Sequence, residues 1–285
     1  MLDQAQKLRQ LVEDKSVDNL KTKIITVTSG KGGVGKSNFV VNLSIELSKL
    51  GKKVLIFDAD IGMANDDVLM GFLPKFNIYD IIFRNKRIEE VMISGPFGVK
   101  LIAGGSGLSR IEELTEYQRE IFLKALTSLE EFDYIIMDTG AGINRSVMGF
   151  IACCDDLIVI TTPEPTSLTD SYSLLKAVNH FKIKNKAKIV VNRTLEAKEG
   201  VTTYTKFNNA VSNFLKIKME YIGNLSEDRK IVQAVREQKP FVISYPNCEA
   251  SQDINKIALK IMGEESAEVN TNIQGLFKKL FNIFS

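Results

Sequence analysis

One stretch constrains the chain more than any other: Gly30-Lys31-Gly32-Gly33-Val34-Gly35-Lys36-Ser37, between the apolar run Ile24–Thr28 and a helical pattern over Ser37–Leu50. It satisfies G-x-x-x-x-G-K-[ST] in the strand-to-helix setting that the motif requires. Glycines let the backbone turn tightly and aim successive N–H groups at phosphate oxygens, at the positive end of the following helix. Lys36 is placed to reach the β- and γ-phosphates, and the Ser37 hydroxyl to ligate Mg²⁺. Residues 30–38, Asn38 included, form the predicted nucleotide-contacting set.

Around this loop, short apolar runs alternate with helical stretches. The runs Ile24–Thr28, Val54–Phe57, Tyr134–Met137, Leu157–Ile160 and Lys188–Val191, with a weaker one at Tyr221–Ile222, are continuous and mostly β-branched. Strands buried on both faces of a parallel sheet read this way. Helical patterns over Ser37–Leu50, Glu116–Glu130, Ser167–Phe181 and Ile254–Met262 separate them. The alternation predicts a doubly wound, mainly parallel α/β fold in one domain. A 285-residue chain with 44% hydrophobic and 25% charged residues is ordinary for a globular protein. The net charge of +2 provides no global nucleic-acid footprint. Cys153 and Cys154 are adjacent and Cys248 is distant, so ligand spacing for an iron–sulfur or zinc site is missing. The N-terminus lacks the apolar core of a signal peptide, and no apolar run reaches the ~18 residues of a membrane span. A cytoplasmic protein is expected.

Two further strands end in acids: Asp58-Ala59-Asp60 after Phe57, and Asp138-Thr139-Gly140 after Met137. Carboxylates at the carboxyl ends of parallel strands lie where such folds bind ligands, and can hold Mg²⁺ or orient an attacking water. The run Lys188–Val191 leads into Asn192-Arg193-Thr194-Leu195, without the Asp of a guanine-reading N-K-x-D. An Asn can pair with an adenine edge and an Arg can stack on the ring, so ATP is the expected nucleotide, contacted by Asn192 and Arg193. Pro163-Glu164-Pro165 resembles a loop closing over the adenine and equally suits a proline-stiffened loop with no such role.

The second lysine of the loop, Lys31, is not needed by an ordinary phosphate loop. With it, K-G-G-V-G-K-S resembles the MinD/ParA family, the dimerising ATPases with a deviant Walker A motif. D-x-D-x-G-x-x-N, completed by Asn65, and D-T-G-A-G at Asp138 extend the resemblance. It implies a P-loop NTPase of the MinD (SIMIBI) type and an ATP-bound homodimer in which Lys31 reaches the partner's nucleotide. It also implies a catalytic set of Lys31, Lys36 and Asp60, with Asp60 orienting water, and Ser37, Asp58 and Asp138 near Mg²⁺.

The two ends carry separate signals. Ile273, Leu276, Phe277, Leu280, Phe281 and Phe284 recur at i, i+3, i+4, i+7, i+8 and i+11, with lysines on the other face. That is an amphipathic helix fit either to lie on a membrane or to pack on its own domain. The arm Asp3-Gln4-Ala5-Gln6-Lys7-Leu8-Arg9 resembles the activator motif of the FlhG branch of the family, the flagellar number and placement regulators also called YlxH or FleN. That resemblance implies stimulation of the FlhF GTPase through Asp3, Gln4, Ala5, Leu8 and Arg9. It implies contact with flagellar switch-complex proteins and a peripheral location on the inner face of the cell membrane. The expected layout is an activator arm at 1–20, an ATPase domain at 21–266, and a linker with an amphipathic helix at 267–285. The alternatives are a division-site regulator of MinD type and a DNA-segregation ATPase of ParA type. For the latter, the alternating Lys182, Lys184, Lys186 and Lys188 are the candidate stripe, read more simply as a solvated face.

Overall fold

The computed structural model of the chain describes residues 22–60, 66–104, 114–263 and 273–284. In chain order the described elements are β1 (Lys23–Ser29), α1 (Lys36–Lys49), β2 (Val54–Ala59), α2 (Asp66–Leu69), α3 (Ile78–Arg84), α4 (Ile88–Val91), β3 (Ile93–Ser94) and β4 (Lys100–Ala103). There follow α5 (Glu116–Ala125), β5 (Tyr134–Ala141), α6 (Arg145–Cys153), β6 (Asp156–Thr161), α7 (Pro165–His180) and β7 (Lys186–Thr194). The last are α8 (Ala197–Phe214), β8 (Lys218–Ser226), α9 (Arg229–Arg236), α10 (Phe241–Ser244), α11 (Glu249–Gly263) and α12 (Ile273–Phe284).

Eight strands form one sheet in the order β3-β4-β2-β5-β1-β6-β7-β8. Every pairing is parallel except the short β3 edge. All seven residues of β1 and all six of β2 are buried, so these strands carry no polar face. Their alternation serves two cores instead. Ile24, Leu55, Phe57, Ile135 and Met137 point to one layer, while Ile25, Val54, Ile56 and Ile136 point to the other. Helix α1 contributes to the second layer through Phe39, Val40, Leu43 and Leu47, beside Ile254, Ile257 and Ile261 of α11. After β1 the chain crosses to β2 on one side and later to β6 on the other, so β1 lies at the switch point where doubly wound sheets open a crevice.

The doubly wound expectation and its six strands hold, each within a few residues except the weak Tyr221–Ile222 run, which extends to all of Lys218–Ser226. Strands β3 and β4 were not anticipated: two and four residues are too short for a periodicity to register. The Glu116–Glu130 helix tightens into a 3₁₀ turn over Leu126–Glu131. The lysine stripe is not a free cationic face. Lys188 and Lys23 both place Nζ 2.8 Å from Asp156 Oδ2, and Lys184 donates to the Cys154 carbonyl. The three cysteines are buried and unbridged, and burial pushes the Cys153 thiol up to about 12, as suits inert packing.

The C-terminal helix takes the packed alternative. Ile273, Leu276, Phe277, Leu280 and Phe281 are all buried in the first core layer. The Phe277 ring centroid lies 5.2 Å from that of Phe57, 4.9 Å from Phe122 and 6.3 Å from Phe150, bridging β2, α5 and α6. Gln274 Nε2 donates to the Leu123 carbonyl at 2.9 Å, and the Phe284 side chain falls outside the described set. In this state the helix completes the domain core. Phe277→Ala is therefore expected to cost about 3–5 kcal/mol in chemical denaturation, and Lys278→Ala, on the exposed face, less than about 0.5 kcal/mol. Equal and small losses would mean that the helix is not seated as described.

Candidate active site

The loop joining β1 to α1 is shaped by what lies behind it. Gly35 adopts φ +90°, and a Cβ there would stand 2.3 Å from the Asn192 amide nitrogen. At Gly30 a Cβ would meet the Asp170 carbonyl carbon at 2.2 Å, so the backbone of α7 abuts the loop directly. The loop then opens α1 at Lys36, whose first free N–H groups face a cleft of about 1000 Å³. Gly33, Lys36, Ser37, Asp60, Asn144 and Arg193 are among its walls.

Sheet register assembles the acidic side. In the β2–β5 ladder Asp58 pairs with Asp138, and in the β1–β5 ladder Asp138 pairs with Val27, three residues before the loop begins at Gly30. The Lys36 ammonium lies 2.6 Å from Asp138 Oδ1, and both side chains are buried. Asp58 accepts from the Asp60 N–H at 3.2 Å and weakly from the Asp66 N–H at 3.5 Å. Asp66, which sequence reasoning missed, is wholly buried beside them. Its signal was the doubled acid Asp66-Asp67 after Asn65; composition assigns such a pair to solvent. Asp60 faces the cleft with Oδ1 3.3 Å from where a Gly140 Cβ would stand, so any side chain at 140 would crowd it.

Electrostatics follow from crowding. Desolvation, then the Asp138 charge, pushes Asp58 up to about 7. Asp66 is held well above the carboxylate range by desolvation, then by Asp138 and Asp58. Burial works against the Lys36 charge, but Asp138, with help from Asp66 and Asp60, outweighs it and holds the ammonium above its usual range. Ser37, Asp58 and Asp138 present only hard oxygens, the donor type that Mg²⁺ takes, and an ammonium already satisfies the pocket as a cation. No group of three or more His, Cys, Asp or Glu side chains is gathered for direct metal ligation among the described residues. The carboxylates therefore fit a hydrated Mg²⁺ held through its waters. Such an ion would supply neutralisation of phosphate charge; Ser37, Asp58 and Asp138 would hold it.

The remaining expected residues are placed as follows. Lys31 is half-exposed, with Nζ 3.1 Å from Thr166 Oγ1 and 3.4 Å from Glu164 Oε2 of its own chain. Asn192 is committed beneath the loop: its Nδ2 donates to the Val34 carbonyl at 2.7 Å and its Oδ1 accepts from the Arg193 N–H at 2.8 Å. In this arrangement the amide braces the loop from behind. Arg193, at φ +57°, donates to the Gly33 carbonyl at 2.7 Å and stays on the cleft wall. Pro163-Glu164-Pro165 caps and opens α7, with Pro165 in its first turn, and is not among the cleft-lining residues. Asp3, Gln4, Ala5, Leu8, Arg9 and Asn65 lie outside the described residues.

The raised Asp58 has a pH consequence. Its folded value lies above the unfolded one of about 3.9, so the folded chain binds more protons between the two and loses stability as pH rises from about 4 through about 7. Asp58→Asn removes that loss. The variant is expected to be more stable than the parent by up to about 4 kcal/mol at pH 8, with the gap much narrower at pH 5 and closing near pH 4. Nucleotide-free thermal denaturation at both pH values measures it, and a gap that does not change with pH would contradict the assignment.

Residues 22–191 match the family described as an AAA domain. The chain is 35% identical to the flagellum site-determining protein YlxH of Helicobacter pylori, covering 98% of each. It is 32% identical to the antiactivator FleN of Pseudomonas aeruginosa, covering 84% of this chain and 86% of that protein. Among solved structures, the MinD cell division protein of Aquifex aeolicus superposes with a TM-score of 0.68 at 26% identity, over 86% of this chain and 98% of that one. With the phosphate loop, the second lysine and the paired strand-end carboxylates in place, the chain belongs to the MinD/ParA family of P-loop ATPases, together with FleN and YlxH.

Proposed function

We propose that the chain is a nucleotide-gated regulator of flagellar number and placement, whose ATP-bound homodimer binds membrane and whose N-terminal arm acts on the FlhF GTPase. One observation carries the gating. Helix α6 begins at the cleft, where Asn144, Arg145, Ser146 and Val147 are wall residues, and its Phe150 lies beneath Phe277 of the C-terminal helix. A shift of the Gly140–Gly142 turn on nucleotide binding reaches the seat of that helix within one element. The name of YlxH, a flagellum site-determining protein, supports the flagellar output.

The chain's own groups divide the work. ATP with Mg²⁺ is the cofactor pair, in the cleft bounded by residues 30–38. Lys36 leaves Asp138 for the β- and γ-phosphates. Lys31 exchanges Glu164 and Thr166 for the partner's nucleotide, which makes the dimer face depend on what occupies it. Asp60 orients the attacking water, and hydrolysis returns monomers slowly, as suits a timer. Released helices present Ile273, Leu276, Phe277, Leu280, Phe281 and Phe284 to the inner face of the cell membrane. One such helix binds lipid weakly and a pair binds far more tightly. Flagellar switch-complex proteins are the further partners. Among the described residues no helix is long and apolar enough to cross a membrane.

Co-sedimentation with anionic liposomes tests the gate. With ATP, Asp60→Ala is expected to remain a dimer and pellet with lipid, whereas Lys36→Gln stays monomeric and in the supernatant. If ATP leaves lipid binding of the parent chain unchanged, the gate is refuted. A peptide spanning residues 1–20 is expected to stimulate FlhF GTP hydrolysis several-fold; no stimulation would point to a division-site regulator, and salt-dependent DNA retention to a segregation ATPase.

A further inference from the structure

Lysines that neither the phosphate site nor the C-terminal helix uses gather at the end of the sheet where β7 and β8 begin. Of the alternating set before β7, Lys184 and Lys188 are taken up by the Cys154 carbonyl and by Asp156, but Lys182 and Lys186 are exposed. The connection from α8 to β8 adds Lys216 and Lys218, both exposed. The two segments are stitched together: the Lys216 N–H donates to Asn179 Oδ1 at 3.0 Å, and the Lys218 N–H to the Asn185 carbonyl at 2.8 Å. Lys186 and Lys218 stand opposite each other in the β7–β8 ladder, where like charges repel.

The nearby carboxylates are engaged elsewhere. Asp156 pairs with Lys23 and Lys188, Asp155 accepts from the Ile24 N–H, and Glu220 lies 3.7 Å from Lys260. Among the described residues Lys182, Lys186, Lys216 and Lys218 form no ion pair. Lys182 and Lys216 follow the ends of α7 and α8, where a cation also offsets the helix dipole. That role does not extend to the opposed pair on the strands. Phe214, the last residue of α8, is 76% exposed beside them.

The same end holds both attachment points of the C-terminal linker. Helix α11 runs antiparallel to β8: Asp253 accepts from the Ser226 N–H at the strand's end, and Lys260 donates to the Tyr221 carbonyl near its start. Gly263 therefore lies at the end where the strands begin. Helix α12 starts there too, since Gln274 meets Leu123 near the close of α5, whose chain then enters β5 at Tyr134. The nucleotide cleft opens at the opposite, carboxyl ends of the strands, so two chains paired over it leave the lysine face uncovered.

We propose that Lys182, Lys186, Lys216 and Lys218, with Phe214 at their edge, form a second membrane contact that seats on an anionic bilayer once α12 has entered it. Ammonium groups pair with lipid phosphates at headgroup depth, and an aromatic ring beside them enters the interfacial zone. A bilayer suits this face better than a nucleic acid does. A net charge of +2 exerts no long-range pull on a polyanion, whereas the tether at Gly263 delivers this end of the domain to the lipid. The inference rests on the proposed membrane gating and adds a face of the domain to it.

The test is co-sedimentation of the full chain with ATP, on vesicles of phosphatidylcholine alone and on vesicles carrying about 30% phosphatidylglycerol. Changing all four lysines to Gln is expected to weaken binding to the anionic vesicles by about tenfold or more, with binding to the neutral ones unchanged. ATP-dependent dimerisation should be unaffected, and the melting midpoint should stay within about 2 °C of the parent's. The same four positions changed to Arg, which keeps the charge, should bind as the parent does. The chain contains no tryptophan, so Phe214→Trp supplies a single reporter whose emission should move to shorter wavelength on anionic vesicles. Equal binding of the parent and the Gln variant to anionic vesicles, or an unshifted Trp emission while the chain pellets, would overturn the proposal. So would salt-sensitive retention on duplex DNA that the Gln variant loses while it keeps its lipid. A parent chain that stays in the supernatant with either vesicle would refute the membrane reading itself, and this face with it; a parent that pellets alongside an unimpaired Gln variant removes this face alone.

Discussion

Among the described residues the Lys36 ammonium stands among several buried carboxylates, and much of the site is organised around the pair it forms with Asp138. Lys36 is the first residue of α1, and Asp138 sits on the central strand β5, so the 2.6 Å pair ties the phosphate loop to the sheet. A buried pair of this kind repays its desolvation only partly, and losing one partner typically costs about 3–5 kcal/mol. The nucleotide-free state therefore holds its acids at a net cost, visible in Asp58 and Asp66, both displaced upward chiefly by desolvation. Under the proposed function, phosphates would draw the lysine from Asp138 and a hydrated divalent cation would take its place.

The same sheet carries this constraint outward. Phe57 and Asp58 are neighbours on β2: one faces the first core layer and touches Phe277, and the other stands opposite Asp138 in the ladder. Met137 and Asp138 stand in the same relation on β5. Alternation in a doubly buried strand thus puts each functional acid one residue from a packing residue under the C-terminal helix. Helix α6 adds a second route, from the turn after Asp138 to Phe150. Close-packed interiors respond to small displacements by repacking rather than by yielding, so a shift at either acid is felt at the helix seat.

Sequence pattern revealed the parts of this arrangement that are local. Continuous β-branched runs identify the buried strands, and the glycine and lysine spacing identifies the loop, because each reports chemistry within a few residues. Register is not local. Nothing in the chain between Asp58 and Asp138 announces that they face each other across a ladder, or that Lys36 will choose Asp138. Asp66 was invisible for the same reason: an acid beside another acid is solvated unless the fold buries it. Asn192 shows another non-local feature: its type and place suit base recognition, but no pattern shows that its amide also fills, from behind the loop, the gap left by the glycine at 35. The amphipathic pattern of residues 273–284 was legible as a helix, whereas its cover was not, since periodicity describes a face and not its occupant.

That ambiguity has a physical meaning at the C-terminus. Five apolar side chains of α12 are fully satisfied by the domain, and hydrocarbon would satisfy them about equally, because lipid tails are as apolar as the aromatic and aliphatic groups of the groove. The transfer between the two therefore turns on smaller terms: the aromatic contacts around Phe277, the Gln274 hydrogen bond, and the ordering entropy of the linker. A balance of that kind can be tipped by a bias of a few kcal/mol, which is the scale a repacked interface supplies. Under the proposed gating, pairing of two chains adds the avidity that one short helix lacks, so the bias need not free the helix completely. A helix bound more firmly to its own domain would never leave, and one bound less firmly would ignore the nucleotide. The packed, strongly amphipathic α12 has the physical properties that such an intermediate requires.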